Sequence, residues 1–110
     1  MPPLRAVITY DAKFSIVKPP GRFDVIETVL EFAPGTWTPS HTHGGPAFIT
    51  VLDGTITVRT KDGEKTYKPG EIWTEHPGEF FRVGNAGAAP ASTAVAFLLP
   101  KGALLTIIGS

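Results

Sequence analysis

The sequence predicts an all-β domain that closes into a barrel or a double-sheet jelly roll of about nine or ten strands. Twelve glycines and eleven prolines are spread through 110 residues. The short segments between them are rich in valine, isoleucine, threonine and phenylalanine, which is typical of sandwiches and barrels. No long segment shows helical spacing without an interrupting glycine or proline. A short chain with so many strands covers their edges only by closing.

The clearest strand pattern covers residues 24–32, where polar and apolar residues alternate. Ile26, Thr28, Leu30 and Phe32 share one face, which we expect to be buried. The intervening residues share the other face, which we expect to be at least partly exposed to solvent.

The remaining predicted strands follow at short intervals along the chain. In order, they cover residues 37–43, 47–52, 55–60, 65–68, 71–76, 80–83, 93–99 and 104–108. Asp53-Gly54 and Asp62-Gly63 each predict a β-hairpin. The segment Thr93 to Leu99 is nearly continuously apolar, so we expect both of its faces to be covered.

Composition limits the organisation and the partners of the chain. Its length fits one domain, which we assign to residues 21–110, preceded by an N-terminal arm at residues 1–20. Ten basic residues balance ten acidic ones, so the basic surface of a nucleic-acid-binding protein is not expected. No apolar run approaches the roughly 20 residues that cross a bilayer, and no signal-peptide core is visible. We therefore expect a cytoplasmic protein with no nucleic-acid or membrane partner.

The candidate chemistry centres on His41-Thr42-His43 in an extended segment. There are no cysteines, so any metal must be held by imidazole, carboxylate or water. Strand alternation places both imidazoles on one face, about 6.6 Å apart along the strand, and two nitrogens can then converge on one ion. Imidazole suits zinc, iron, nickel, copper and manganese alike. The alternative to metal binding is that both histidines line a water-filled pocket.

The spacing around these histidines resembles the first conserved motif of the cupin superfamily. Gly35, five residues, His41-x-His43 and then Gly54 follow that motif. Ala47 stands where the motif has a glutamate ligand.

A second cupin motif is also matched in part. Gly70, Gly78 and Asn85 stand at its glycine and asparagine positions. His76 stands at its proline position, and Phe81 stands where it has the last metal-ligating histidine.

The resemblance spans roughly residues 24–108. Glu75-x-Pro77-Gly78 and Pro100-Lys101-Gly102 are similar to short bacterial single-domain cupins. The resemblance to cupins implies a cupin-type jelly-roll barrel and a divalent transition metal, Mn, Fe, Ni or Zn, as cofactor. It also implies a homodimer, because cupins commonly pair through their outer sheets and N-terminal arms.

The third ligand is left open between two neighbours. Adjacent residues of a regular strand point to opposite faces, so only one of Glu75 and His76 looks into the barrel. If it is His76, it forms a three-histidine catalytic site with His41 and His43. If it is Glu75, two histidines and a carboxylate resemble the facial triad of non-haem iron oxygenases. Either residue is also a candidate catalytic acid and base.

These residues predict a small metal-dependent cupin enzyme that acts on a small organic molecule inside the barrel, of dioxygenase, isomerase or lyase type. Ala47 and Phe81 support the alternative, a metal-free or weakly metallated module that binds a sugar-like or aromatic ligand. A third possibility is a domain that works mainly as a subunit of a larger assembly. The fold by itself selects none of these functions.

Overall fold

The computed structural model describes residues 11, 13 and 21–109. Most of the predicted N-terminal arm, and Ser110, lie outside the described residues. Nine strands are present in the described part, in chain order β1 (Phe23–Phe32), β2 (His41–Thr42), β3 (Ala47–Asp53), β4 (Ile56–Thr60), β5 (Gly63–Tyr67), β6 (Ile72–Glu75), β7 (Arg82–Gly84), β8 (Ala91–Pro100) and β9 (Ile107–Ile108). Over that same range the all-β prediction is confirmed. No helix among the described residues is long and apolar enough to span a membrane.

The strands form two main antiparallel sheets and a small pair. The larger sheet has the order β1-β8-β3-β6, the smaller one has the order β5-β4-β7, and β2 pairs with β9. Buried side chains of both main sheets form one hydrophobic cluster, with Ile49, Val95 and Phe97 from the larger sheet and Ile56 and Val58 from the smaller. Sharing one core between two sheets is the jelly-roll arrangement that the sequence predicts.

Strand β8 lies at the centre of the larger sheet, and its side chains alternate strictly in burial. Ala91, Thr93, Val95, Phe97 and Leu99 are buried, while the residues between them are only half-buried. The prediction that both faces are covered is therefore wrong for the isolated chain. The second face carries mainly small apolar side chains and remains partly open.

Strand β1 pairs only with β8 among the described strands, so it forms an edge of the larger sheet. Its inward face is less buried than the alternation predicts. Phe32 is buried, Ile26 and Thr28 are half-buried, and the exposed fraction of Leu30 is 43%. An edge strand has a neighbour on one side only, which leaves part of its inner face in contact with solvent.

The Asp53-Gly54 turn is not a β-hairpin. Strand β3 pairs with β6 and β8, whereas β4 pairs with β5 and β7, so this turn carries the chain from one sheet to the other. Gly54 has a φ of 70°, and a Cβ there would lie 2.6 Å from the carbonyl oxygen of Pro90. Only glycine fits such a crossing. The hairpin at Asp62-Gly63 is confirmed, because β4 and β5 pair from Thr60 and Gly63 onward.

The side chain of Asn85 joins the end of β1 to the loop after β7. It is fully buried, and its amide donates hydrogen bonds to the carbonyl oxygens of Phe32 at 3.0 Å and Ala89 at 2.7 Å. Its Oδ1 accepts a hydrogen bond from the backbone N–H of Gly87 at 3.0 Å. The amide therefore satisfies three backbone groups, of which the carbonyl of Phe32 belongs to a buried residue.

We expect Asn85→Ala to lower the free energy of unfolding by about 2–3 kcal/mol, because three backbone groups lose their partner. Urea unfolding followed by fluorescence measures this change. Ala88→Ser is the control, since Ala88 is an exposed residue of the same loop and should change stability by less than about 0.5 kcal/mol. Equal stability of the two variants would contradict this role for Asn85.

Candidate metal centre

His41 and His43 lie side by side in the interior of the barrel. Their exposed fractions are both 7%, and the two ring centroids are 4.9 Å apart with the ring planes at 73°. The pairing of β2 with β9 places His41 opposite Ile108. The alternation of the extended segment thus brings both imidazoles to one place, as the His-x-His spacing predicts.

Backbone carbonyls fix which nitrogen of each ring is available. Nδ1 of His41 lies 2.8 Å from the carbonyl oxygen of Pro39, and Nδ1 of His43 lies 2.8 Å from that of Leu105. A carbonyl oxygen only accepts, so each Nδ1 carries a hydrogen and donates it. Nε2 of each ring is thereby left for a ligand or for a second proton. Such outer hydrogen bonds are the usual means of orienting metal-binding histidines.

Glu75, on strand β6, supplies a carboxylate beside the two imidazoles. It is buried, with an exposed fraction of 4%. Its Oε1 lies 3.1 Å from Nε2 of His43, and its Oε2 accepts a hydrogen bond from Nε1 of Trp73 at 3.0 Å. In the β3–β6 register, Glu75 lies directly opposite Ala47. The carboxylate therefore reaches, from across the ladder, the region where the cupin motif has its own glutamate.

Of the two neighbours that the sequence left open, Glu75 is the one that lies beside His41 and His43. The potential ligand atoms of His41, His43 and Glu75 all lie within 4.8 Å of one another. His76 is exposed and is not part of this group. The turn that follows it is held by Thr42, whose hydroxyl accepts a hydrogen bond from the backbone N–H of Gly78 at 3.0 Å. The described residues therefore form a two-histidine, one-carboxylate group and not a group of three histidines.

Phe81 occupies the position of the last ligand in the cupin pattern. Its backbone pairs with that of His41 through two hydrogen bonds, of 3.0 Å and 2.9 Å, so the two side chains lie on the same face. The Phe81 ring is 5% exposed and belongs to the hydrophobic core. An apolar ring thus stands beside the group where the family pattern has a fourth donor.

A cavity of about 60 Å³ adjoins the three groups. Apart from the candidate ligands, its walls are mostly apolar and come from both sheets, with Ile49, Val83 and Phe97 among them. A larger groove, of about 460 Å³, lies on the outer surface beside Arg59 and Arg82, and neither histidine lines it. We therefore take the smaller space as the candidate site, because the convergent polar groups are there.

Opposing influences act on the pKa of His43. Burial disfavours the imidazolium and lowers the pKa, whereas the hydrogen bonds to Glu75 and Leu105 and the charge of the Glu75 carboxylate raise it. The net direction is upward from 6.5. When His43 carries a second proton, its imidazolium can donate through both nitrogens, to the carbonyl oxygen of Leu105 and to Oε1 of Glu75.

Three groups that orient the site were not singled out from the sequence. Trp73 lies two residues before Glu75 on the same strand, so alternation could have placed both on the inward face. The carbonyl groups of Pro39 and Leu105 carry no signal in the sequence. The hydrogen bond from His43 to Leu105 joins residues 62 positions apart, and only the closed fold brings them together.

We expect the metal-free protein, kept in chelator, to lose stability as the pH rises. The folded-state pKa of His43 lies above 6.5. Its protonation therefore stabilises the fold fully below pH 6.5, and this contribution is lost as the pH rises through the folded-state pKa. Urea unfolding at about pH 6 and about pH 9 should show a smaller fall in stability for His43→Gln than for the wild type. The same fall in both proteins would mean that His43 does not form an ion pair with Glu75.

The sequence of this chain also matches a known protein family. Residues 28–97 match a family model described as a cupin domain. No curated protein matches the chain significantly.

Several solved structures share the fold. An uncharacterised conserved protein with a double-stranded β-helix domain from Klebsiella pneumoniae subsp. pneumoniae MGH 78578 is 24% identical, with a TM-score of 0.67 over 79% of this chain and 76% of that one. A cupin-superfamily sugar phosphate isomerase from Silicibacter pomeroyi DSS-3 is 21% identical, with a TM-score of 0.62 over 73% of this chain and 52% of that one. An oxalate oxidase in complex with the substrate analogue glycolate is 24% identical, with a TM-score of 0.59 over 66% of this chain and 41% of that one. The matched region thus spans about half or less of the two enzymes.

Proposed function

This chain belongs to the cupin domain family, and we propose that it is a small metal-dependent enzyme acting on a small organic molecule inside the barrel. In this proposal His41, His43 and Glu75 hold a divalent first-row transition metal, Mn, Fe, Ni or Zn. The observation that carries the proposal is the convergence of these three buried donors within 4.8 Å.

The donor set fits such an ion. Two neutral imidazoles and a carboxylate are the donors of the facial triad, which leaves positions open for water or substrate. When bound, the ion acts as a Lewis acid that polarises a coordinated oxygen. Glu75 balances one of its two positive charges. The burial of all three groups lowers the dielectric around them and strengthens every charge interaction there.

The remaining residues orient the donors and exclude water. The carbonyl oxygens of Pro39 and Leu105 keep Nε2 of each ring directed to the shared space. Trp73 donates its indole N–H to Glu75 and so limits rotation of the carboxylate. The apolar walls of the cavity, such as Phe97, keep competing water molecules few.

Structures similar to this chain include an oxalate oxidase and a sugar phosphate isomerase, so oxidase, dioxygenase, isomerase and lyase reactions are the first to screen. The cavity size weighs against the alternative of a metal-free module for sugar-like or aromatic ligands. About 60 Å³ is less than half of the roughly 150 Å³ cavity that holds benzene in another protein.

We expect the wild type to bind one divalent metal ion per chain. His41→Ala with His43→Ala should abolish binding, and Glu75→Gln should weaken it at least about tenfold, because the site then loses its charge and an anionic ligand. Elemental analysis and competition with a chromophoric chelator measure both effects. The expectation applies to protein purified without an affinity tag.

His76→Gln is the matched control for this measurement. It removes an imidazole one residue from Glu75, but the side chain is exposed and lies outside the donor group. Its metal affinity should equal that of the wild type. A loss with His76→Gln as large as with Glu75→Gln, or no metal in the wild type after incubation with all four ions, would overturn the proposal.

We also propose that the protein is a homodimer formed through the open face of the larger sheet. Val25 and Val29 of β1 are 67% and 65% exposed. They lie next to the half-buried small side chains of β8, with Ala94 opposite Val29 in the register. The chain has a formal net charge of zero, so two copies do not repel one another strongly. A cytoplasmic location remains a prediction from the sequence.

Sizing in solution tests the dimer. The chain has a mass of 11.7 kDa, and we expect light scattering to give twice that mass. Val29→Lys places a charge in the apolar face and should shift the equilibrium at least about tenfold towards the monomer. Lys65→Ala, an exposed change on the smaller sheet, is the control. A monomeric wild type at high concentration would contradict this assignment.

A further inference from the structure

We infer that the candidate metal centre takes a small substrate that carries no more than one negative charge and enters beside Leu30. The inference rests on the proposed function, because it assumes that an ion is held by His41, His43 and Glu75. The proposed function concerns the binding of the ion, whereas the inference concerns which molecules the cavity accepts. It follows from the size of the cavity, the charges in its walls and the position of its opening.

The cavity admits only a small part of an organic molecule. Its volume of about 60 Å³ compares with roughly 150 Å³ for a protein cavity that holds the six carbon atoms of benzene. By proportion it has room for about two or three non-hydrogen atoms. The oxygen-bearing end of a substrate can therefore enter, and the rest of the molecule must lie towards the opening.

The described walls of the cavity provide no positive charge of their own. Among the described residues that line the cavity, the only ionisable side chains are the three candidate ligands, and there is no lysine or arginine. Thr38 and Thr93 provide hydroxyl groups, and the Thr38 hydroxyl already accepts a hydrogen bond from the backbone N–H of Val83 at 2.9 Å. A charged substrate must therefore be balanced almost entirely by the metal ion.

The charge that the ion can balance is small. A divalent ion with Glu75 leaves one net positive charge, which matches one negative charge on a ligand. The second charge of a dianion would lie at the mouth of this mostly apolar cavity, where no lysine or arginine of the described lining can pair with it. Oxalate and sugar phosphates both carry about two negative charges at neutral pH. By this inference, both would bind here less tightly than a ligand with one negative charge.

We place the opening of the cavity at Leu30. This is the one exposed residue among the described residues of the lining, with an exposed fraction of 43%. The half-buried Thr38 is the next most accessible. The part of a substrate that does not fit inside must therefore lie against an apolar leucine side chain. A second negative charge at that end would meet no cation among the described lining residues.

The test compares oxalate with oxamate, which have nearly the same shape and differ by one negative charge. Wild-type protein is loaded with cobalt(II), whose visible absorption reports ligands entering its coordination sphere, and each ligand is titrated in turn. Metal analysis after desalting identifies any cobalt stripped from the protein. Free cobalt(II) in water is the reference, and Coulomb attraction there favours the dianion.

We expect the protein to reverse that order and to bind oxamate about tenfold more tightly than oxalate, a difference of about 1.4 kcal/mol. Leu30→Lys places a cation at the opening, where an exposed lysine can be accommodated. It should shift the preference at least about tenfold towards oxalate. Leu30→Met, which changes shape without adding charge, should keep the wild-type order.

Each outcome bears on a distinct claim. Tighter binding of oxalate than of oxamate by the wild type would overturn the inference, and so would a spectrum that neither ligand changes. An unchanged preference in Leu30→Lys would overturn the assignment of the opening. If the wild type takes up no cobalt(II), the proposed metal centre itself fails, which is visible before any ligand is added.

Discussion

Burial of the Glu75 carboxylate is the constraint on which the rest of the site depends. A charge inside a barrel is tolerated only when it is paired and hydrogen-bonded, and removing one partner of a buried pair typically costs about 3–5 kcal/mol. Both oxygens of Glu75 have partners, His43 and Trp73. The residue opposite, Ala47, has an exposed fraction of 0% and a side chain small enough to leave room for the carboxylate. The small side chain of Ala47 and the indole N–H of Trp73 therefore both serve to accommodate the Glu75 carboxylate.

Closure of the fold links this arrangement to the C-terminal segment. The carbonyl of Leu105 accepts the Nδ1 hydrogen of His43, and β9 pairs with β2, which begins at His41. A Cβ at Gly44 would lie 2.3 Å from the carbonyl oxygen of Leu104, so glycine is required where the two segments cross. The orientation of the histidines thus depends on the last strand of the chain. The donor group becomes ordered only when distant parts of the sequence have come together.

The site also shows how the residues of a family pattern can change while a carboxylate is kept beside the two histidines. The usual glutamate position carries Ala47, yet Glu75 supplies a carboxylate from the adjacent strand. Cross-strand neighbours have Cβ atoms about 5 Å apart, so a long side chain on one strand can replace a side chain on the other. The usual last histidine position carries Phe81, which packs in the core. The result is a group with fewer donors beside a small, mostly apolar cavity.

The sequence alone determined the features that depend on local spacing. Alternation and regularly placed glycines identified the strands, and His41-x-His43 identified two of the three converging donors, because the period of a strand fixes which neighbours share a face. Features that depend on pairing between distant segments were decided only by the tertiary structure. Asp53-Gly54 has the composition of a hairpin, but β3 and β4 belong to different sheets. Leu30 follows the buried pattern, but it lies on an edge strand. The choice between Glu75 and His76 depended on the register of β6 with β3, since a shift of one residue exchanges the inward and outward faces.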